Sequence, residues 1–401
     1  MFLTVSKRLE FSASRRLFLP NESKEANQRL FGAETNARYG AGRNYVVWFV
    51  FTGTVDPATG MLMNISEIKQ RAGAVIDQRY DHKFLNEDNP DFAETVPTPE
   101  NVALQLLADV APLFRDSGAE LSAVYLEETP QRSATAYAHG SVDANYDFRF
   151  SAARQTMSPN LTRDENEQVF GLAASPYGHG HDYRVRLTSR SSKQVPHAEI
   201  AACIASLREE LDHRNLNVEV PGLSSLPKTT EVLARYIFTR AGASVPLDRV
   251  RLHERSDFFA EYRADGSHLL GMQMPFSAVH RLQSYEHSPE QNTAMYGKCN
   301  NPRGHGHLYI SEATIGGQLD EKSGTLCNFT EFEEALRSAV ADWDNKHLDL
   351  EAPEFRKRPS TGENIVQALW GKMTPWLSER LVRLRLWETA NNRFTLRRHA
   401  S

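Results

Sequence analysis

Long apolar runs are missing from this chain: nowhere does a stretch approach the ~20 consecutive apolar residues that a membrane-spanning helix requires. The opening M-F-L-T-V-S-K-R-L-E also lacks the apolar segment of a secretory signal, so the expectation is a cytoplasmic protein with no membrane partner. Cysteine is scarce. Cys203, Cys299 and Cys327 form an odd count without the spacing of a disulfide framework, which points to free thiols in a reducing compartment. A surplus of positive charge is missing too. A net charge of -5 and a pI near 6.3 exclude a global basic footprint for nucleic acid and leave only a local anion pocket open. Low-complexity segments and long flexible linkers are likewise absent. What is present, 401 residues of which 40% are hydrophobic, suits a folded chain with more than one ordinary core.

The chain repeats itself three times. The segment Tyr296–His307, Y-G-K-C-N-N-P-R-G-H-G-H, has relatives in F-G-L-A-A-S-P-Y-G-H-G-H at Phe170–His181 and F-G-A-E-T-N-A-R-Y-G-A-G-R at Phe31–Arg43. F-S-A begins at Phe11, Phe150 and Phe276, and Asp81-His82 recurs as Asp212-His213 and, altered, as Asp344-Asn345. Glu100, Glu231 and Glu363 each follow the aspartate of their pair by 19 residues, an offset hard to obtain by chance in three copies. Hydrophobic periodicity within each copy alternates between strand and helix. In the first, Leu3–Ser12 and Tyr45–Thr54 read as strands, Ser66–Gln78 and Thr98–Phe114 as helices, and Ala119–Glu127 as the start of a hairpin running to about Tyr137. Strands near Asn145–Ala152 and His181–Thr188, and helices near His197–Asp212 and Thr229–Ala241, repeat this in the second. In the third copy, strands near His268–Ala278 and His307–Thr314 precede helices near Thr330–Asp344 and Gly362–Lys372. Thr98-Pro99-Glu100 and Thr229 or Thr230 before Glu231 supply the helix starts. The expected organisation is α+β, three ββααββ units spanning 1–135, 136–262 and 263–401.

Five ordered motifs in the third unit carry a resemblance: F-S-A-V-H-R-L from Phe276, Y-G-K-C-N-N-P-R-G-H-G-H, G-T-L-C-N-F-T from Gly324, S-T-G-E-N from Ser360 and W-E-T from Trp387. Together they resemble the 6-pyruvoyl tetrahydropterin synthase and 6-carboxytetrahydropterin synthase family of the tunnelling, or T-fold, class, and the likeness extends more weakly over nearly the whole chain. The resemblance implies a trimeric ring fused into one polypeptide, that is, a pseudo-trimeric antiparallel β-barrel with helices outside. A homodimer would then imitate the family hexamer. Closing the sheets end to end also removes exposed strand edges.

The resemblance further implies one zinc ion per chain, held by His280, His305 and His307. His305 and His307 lie two apart, so on a strand both leave one face; an antiparallel partner strand brings His280 opposite. Three imidazoles with one open position is the composition of a catalytic zinc site. Arg15 and Arg154 stand at the position of His280 in the other units, so no zinc is expected there, and His179 and His181 are expected to be structural. Cys299, which has no counterpart in the other copies, takes the family's role of base. The family cysteine is assisted by an Asp-His pair from a neighbouring subunit. Unit three has Asn345 where histidine is needed, so either Asp81-His82 or Asp212-His213 must serve; strand order favours the latter. Glu363 and Glu388, with Thr361 of the same S-T-G-E-N motif as Glu363, are the implied pterin anchors, and Gly362 departs from the family's usual threonine. Lys298, Arg281 and Arg303 are candidates for phosphate contacts by proximity alone.

The implied activity is a zinc-dependent lyase converting 7,8-dihydroneopterin triphosphate to 6-pyruvoyltetrahydropterin with loss of triphosphate. Five residues separate Cys299 from His305, as in the pyruvoyl-forming branch. The alternative product is 6-carboxytetrahydropterin, in the queuosine and deazapurine pathway. An alternative of another class is a non-catalytic pterin-binding or scaffold protein, consistent with two damaged repeats and Asn345.

Overall fold

A computed structural model of the chain describes residues 1–190 and 195–398. Among the described residues, twelve long strands and nine helices of eight or more residues carry the architecture. In the first repeat these are β1 (Phe2–Arg15), α1 (Lys24–Phe31), β2 (Ala41–Gly53), α2 (Ile65–Arg79), α3 (Pro99–Val110), β3 (Ala119–Thr129) and β4 (Arg132–Tyr137). The second has β5 (Val142–Arg154), α4 (Arg163–Phe170), β6 (His179–Ser189), α5 (His197–Leu211), α6 (Thr230–Gly242), β7 (Arg249–Arg255) and β8 (Phe258–Arg263). The third has β9 (His268–His280), α7 (Pro289–Tyr296), β10 (His305–Gly317), α8 (Phe329–Ala341), α9 (Gly362–Leu377), β11 (Leu381–Thr389) and β12 (Asn392–Arg397).

All twelve strands join one antiparallel sheet in the order β8-β7-β6-β5-β4-β3-β2-β1-β12-β11-β10-β9, and β9 pairs back onto β8, so the sheet closes into a barrel. The repeats meet at β4–β5, β8–β9 and β12–β1. The last junction pairs the two ends of the chain, Phe2 opposite Arg397 through Lys7 opposite Asn392. Alternation does the rest. Val47, Phe49 and Phe51 on β2, or Leu384 and Leu386 on β11, are fully or almost fully buried, whereas their strand neighbours point to the other face. The buried set packs beneath the two long helices of each repeat, which therefore lie outside the barrel.

The expected ββααββ units and closed ring are present, with differences at the edges. Strands run longer than their apolar cores suggest, because barrel pairing holds their polar ends. The helix expected over Thr98–Phe114 tightens into a 3-10 turn at Ala111–Phe114, after Pro112 removes an N–H. The short helices α1, α4 and α7 between the first two strands of each repeat were not expected. Each is eight residues long with only two buried side chains, too few to show a helical period, although Ser23, Thr162 and Ser288 cap them. The expected boundaries at 135 and 262 fall inside β4 and β8. Among the described residues no helix is long and apolar enough to cross a membrane.

Gly362 opens α9 for a steric reason. A Cβ there would lie 2.0 Å from the ring of Phe394 on β12, so the strand that closes the barrel fills the space a threonine would need. Gly362→Ala is expected to lower stability by about 1–3 kcal/mol through overpacking, read as an earlier midpoint in urea unfolding; an unchanged midpoint would show that Phe394 has room to move.

Candidate metal centre and substrate pocket

Register builds the histidine cluster. On the β9–β10 pair, His280 stands directly opposite His305, and Ala278 opposite His307, so all three imidazoles leave the helix-covered face at one end of the hairpin. Ring centroids are separated by 4.5, 5.2 and 4.9 Å for the pairs His280–His305, His280–His307 and His305–His307. His280 is fully buried, and its Nδ1 lies 2.8 Å from the Ser360 carbonyl. A carbonyl can only accept, so Nδ1 carries the proton and Nε2 offers its lone pair to the cluster. Nε2 of His280 is 3.2 Å from Nε2 of His305, and Nε2 of His307 is buried without a hydrogen-bond partner. Burial holds His280 down to about 4, and neutral imidazole is the form that ligates. Ligating atoms of the three histidines fall within 4.8 Å of one another. Three converging imidazole nitrogens, one of them orphaned among the described residues, fit a zinc-type cation with an open position.

Two carboxylates flank the cluster. Glu388 on β11 brings Oε1 to 3.7 Å from His280 Nε2 and 4.0 Å from His307 Nε2. Glu363, in the first turn of α9, is buried and accepts a 2.9 Å hydrogen bond from the Leu62 N–H of repeat one. Its neighbourhood is an interface. The N-cap Thr361 donates to the Gly60 carbonyl at 2.6 Å, and the Tyr296 hydroxyl donates to the Thr59 carbonyl at 2.7 Å. Gly60 itself has φ +70, and a Cβ would lie 2.6 Å from Asn364 Nδ2, so the 56–63 loop of repeat one inserts tightly against α9. Burial pushes the Glu363 carboxyl up to about 7 against the lowering effect of the Leu62 N–H, with the charge of Glu388 adding to the rise.

Cys299 sits in the 3-10 turn Gly297–Asn300, half-buried, with its carbonyl accepting from Leu282 N–H at 2.9 Å. Burial and the charge of Glu388 push its thiol up, and Lys298 pulls it down. Cys203 and Cys327 are elsewhere in the packing, with thiols raised by burial, Cys327 to about 12.

The Asp-His pairs occupy equivalent turns. Asp81 and Asp212 each accept from the N–H of a first-strand serine, Ser12 or Ser151, at 2.8 Å, and Asp344 does the same to Ser277. His82, His213 and Asn345 follow with φ near +60. Each pair is thus pinned to its own repeat, and the imidazoles of His82 and His213 are 83% and 82% exposed. Neither makes a described hydrogen bond or ion pair with Cys299 or the histidine cluster.

The other repeats fill the same place differently. Arg15 donates to Glu128 and Glu34 at 2.6 Å, and Arg154 bonds Glu254 and, at 2.9 Å, Thr230. Glu128 and Glu254 stand where Glu388 does in the third repeat. His179, His181 and Glu254 also cluster within 4.8 Å, with the Arg154 guanidinium already against the carboxylate. Residues not anticipated from the sequence include Ser360 and Asp349 behind His280, and the 56–63 loop. The serine hydroxyl donates to Asp349 at 2.9 Å, and Asp349 also accepts from the Arg281 N–H at 2.7 Å. D-P-A-T-G-M-L from Asp56 parallels D-E-K-S-G-T-L from Asp320, a repeat signal that marks this loop.

Three segments of the chain, 4–139, 144–265 and 270–399, match the family described as 6-pyruvoyl tetrahydropterin synthase. The 6-pyruvoyl tetrahydrobiopterin synthase of Poecilia reticulata is 40% identical over 119 residues, 29% of this chain and 81% of that protein. The Homo sapiens protein of the same name is 37% identical over 119 residues, 29% of this chain and 82% of its own. A solved structure of Caenorhabditis elegans 6-pyruvoyl tetrahydropterin synthase aligns with TM-score 0.32 and 29% identity, covering 33% of this chain and 96% of that one. With the family pattern matched in all three repeats, this chain belongs to the 6-pyruvoyl tetrahydropterin synthase family.

Proposed function

We propose that the third repeat carries a zinc-dependent lyase site that converts 7,8-dihydroneopterin triphosphate to 6-pyruvoyltetrahydropterin and triphosphate, with repeat one supplying a wall of the pocket. The observation that carries this reading is the convergence of His280, His305 and His307 beside Glu388, which is also felt by Cys299 and Glu363. The relatives named as pyruvoyl-forming synthases support the product.

His280, His305 and His307 would hold the ion, which when bound supplies a Lewis acid that polarises side-chain oxygens of the substrate. Glu363 accepts the ring N–H and exocyclic amine of the pterin, a bidentate contact that fixes the ring. Cys299 removes a carbon-bound proton from the side chain, with Lys298 drawing the thiol toward its ionised form. The side-chain carbons are oxidised as the ring is reduced and triphosphate leaves, so no external oxidant enters. Asn345 cannot shuttle a proton, so assistance to Cys299 comes from outside its own repeat, from Asp81-His82 or Asp212-His213.

Incubation with 7,8-dihydroneopterin triphosphate is expected to release triphosphate and a pterin with the mass of the pyruvoyl product, with one zinc per chain by metal analysis. Cys299→Ala is expected to lower turnover by ~10²-fold or more while zinc content stays the same. A carboxylated pterin would reassign the product, and an unaffected Cys299→Ala enzyme would remove the thiol from the chemistry. For the assisting pair, His82→Asn and His213→Asn reproduce the natural state of Asn345. One of the two is expected to lose ~10²-fold in turnover, and full activity in both would eliminate the relay.

Glu363 sets a pH dependence. Its carboxyl is raised to about 7, so it is ionised only above that pH, and binding of the pterin edge is expected to weaken as pH falls through about 7. Glu363→Gln should flatten this profile and weaken binding by ~10²-fold, since one of two charge-assisted contacts is lost. Fluorescence titration with neopterin between pH 6 and 8 reads both; a steep profile surviving in Glu363→Gln would assign the titration elsewhere.

A further inference from the structure

The barrel interior has a chemistry of its own, on the face opposite the metal cluster. Arg383 and Arg385 alternate with buried Leu384 and Leu386 on β11, Arg393 and Arg397 with buried Phe394 and Leu396 on β12, and Arg251 with buried Val250 and Leu252 on β7. Since the apolar partners lie under the helices, the guanidinium groups point into the lumen. Two repeats meet there. Arg251 lies 4.4 Å and Arg383 6.0 Å from the ring centroid of Phe259, although three strands separate β7 from β11 in the sheet.

Carboxylates do not balance this group. Glu261 takes Arg251 at 2.6 Å and Arg263 at 2.8 Å. Glu312 takes Arg385 at 3.1 Å and stands 3.7 Å from Arg383, whose other contact is the Thr314 hydroxyl at 3.0 Å. Arg393 rests 4.7 Å over the Trp48 ring and, among the described residues, hydrogen-bonds only the Ser6 hydroxyl, at 3.5 Å. Among the described residues, no carboxylate pairs with Arg393 or Arg397. Six guanidinium groups therefore share two carboxylates. The Nε atoms of Arg383, Arg385 and Arg393 are buried without a partner, and Arg383 is only 7% exposed. Burial and neighbouring arginines push Arg383 well down and Arg393 to about 9. Guanidinium groups stay charged at neutral pH, so the repulsion persists in the fold. Arg397 is exposed, which connects the group to solvent.

We propose that this lumen binds a multiply charged oxyanion of the phosphate class, held by Arg383, Arg385, Arg393 and Arg397 with Arg251 facing them. Planar guanidinium forks match the oxygens of such an anion, and the unpaired Nε–H groups become donors to it. Occupancy neutralises the like charges that the closed barrel forces together, so the anion stabilises the folded chain. The site uses none of the groups assigned to pterin chemistry.

The test is thermal unfolding of the full chain with inorganic phosphate against sodium chloride at matched ionic strength. Phosphate is expected to raise the midpoint saturably by about 3 °C beyond chloride. Arg393→Gln/Arg397→Gln should lose most of that rise and, without phosphate at low salt, melt no earlier than the natural chain, because repulsion is relieved. Lys298→Gln/Arg303→Gln, altering the basic residues near Cys299, should keep the rise. Should the double lumen variant fail to fold, Arg397→Gln, at an exposed position, reads the same loss in part. Equal effects of phosphate and chloride, or a full phosphate shift in the lumen variants, would overturn the proposal.

Discussion

The pairing of the first strand with the last is the interaction on which the rest of the molecule depends. β1 and β12 exchange ladder hydrogen bonds from Phe2 opposite Arg397 to Lys7 opposite Asn392, and this junction gives every barrel strand two neighbours. Each backbone hydrogen bond contributes only ~1 kcal/mol net, but an open edge would leave a ladder free to pair with other chains. Closure also decides geography. It sets repeat one beside repeat three, and so brings the 56–63 loop to the start of α9, where Leu62 donates to Glu363 and Gly60 accepts from Thr361. The pocket that Glu363 defines exists only because the ends of the chain meet.

Against this threefold frame the three sites are chemically unequal. At one register position stand Arg15, Arg154 and His280, and the carboxylates beside them are Glu128, Glu254 and Glu388. Where arginine is present, its fixed charge pairs with the carboxylate inside the protein. Removing one partner of such a buried pair costs ~3–5 kcal/mol, which makes the arginines part of the fold. Where histidine is present, no described arginine or lysine forms an ion pair with the carboxylate, and three imidazole nitrogens face one point. Two repeats thus fill their sites with their own side chains, and the third leaves three imidazoles and a carboxylate without such a filling.

Much of this was legible in the residues, and the parts that were not have identifiable physical causes. His305 and His307, two apart on a strand, had to share a face, and His280 had to come from a partner strand; the register that pairs His280 with His305 is the one such spacing requires. The long helices announced themselves through apolar period and through Thr98 and Thr229 as caps. The short helices α1, α4 and α7 did not, since two buried residues in eight carry no period. Gly362 looked like a weakened motif, and its reason, the ring of Phe394, lies 32 residues away on the closing strand. The lumen arginines were invisible as a group because each reads locally as the polar half of an ordinary alternating strand.

The threefold repeat, the order of strands and helices, the composition of the histidine cluster and its loss in two copies all follow from the residues in order. These are local properties, set by side-chain type and by the two periods of backbone geometry. Which repeat walls the third pocket, and that arginines from two repeats crowd one lumen, emerge in the folded chain alone. Those outcomes depend on closure of the barrel, which joins residues nearly four hundred positions apart and is encoded in no single segment of the chain.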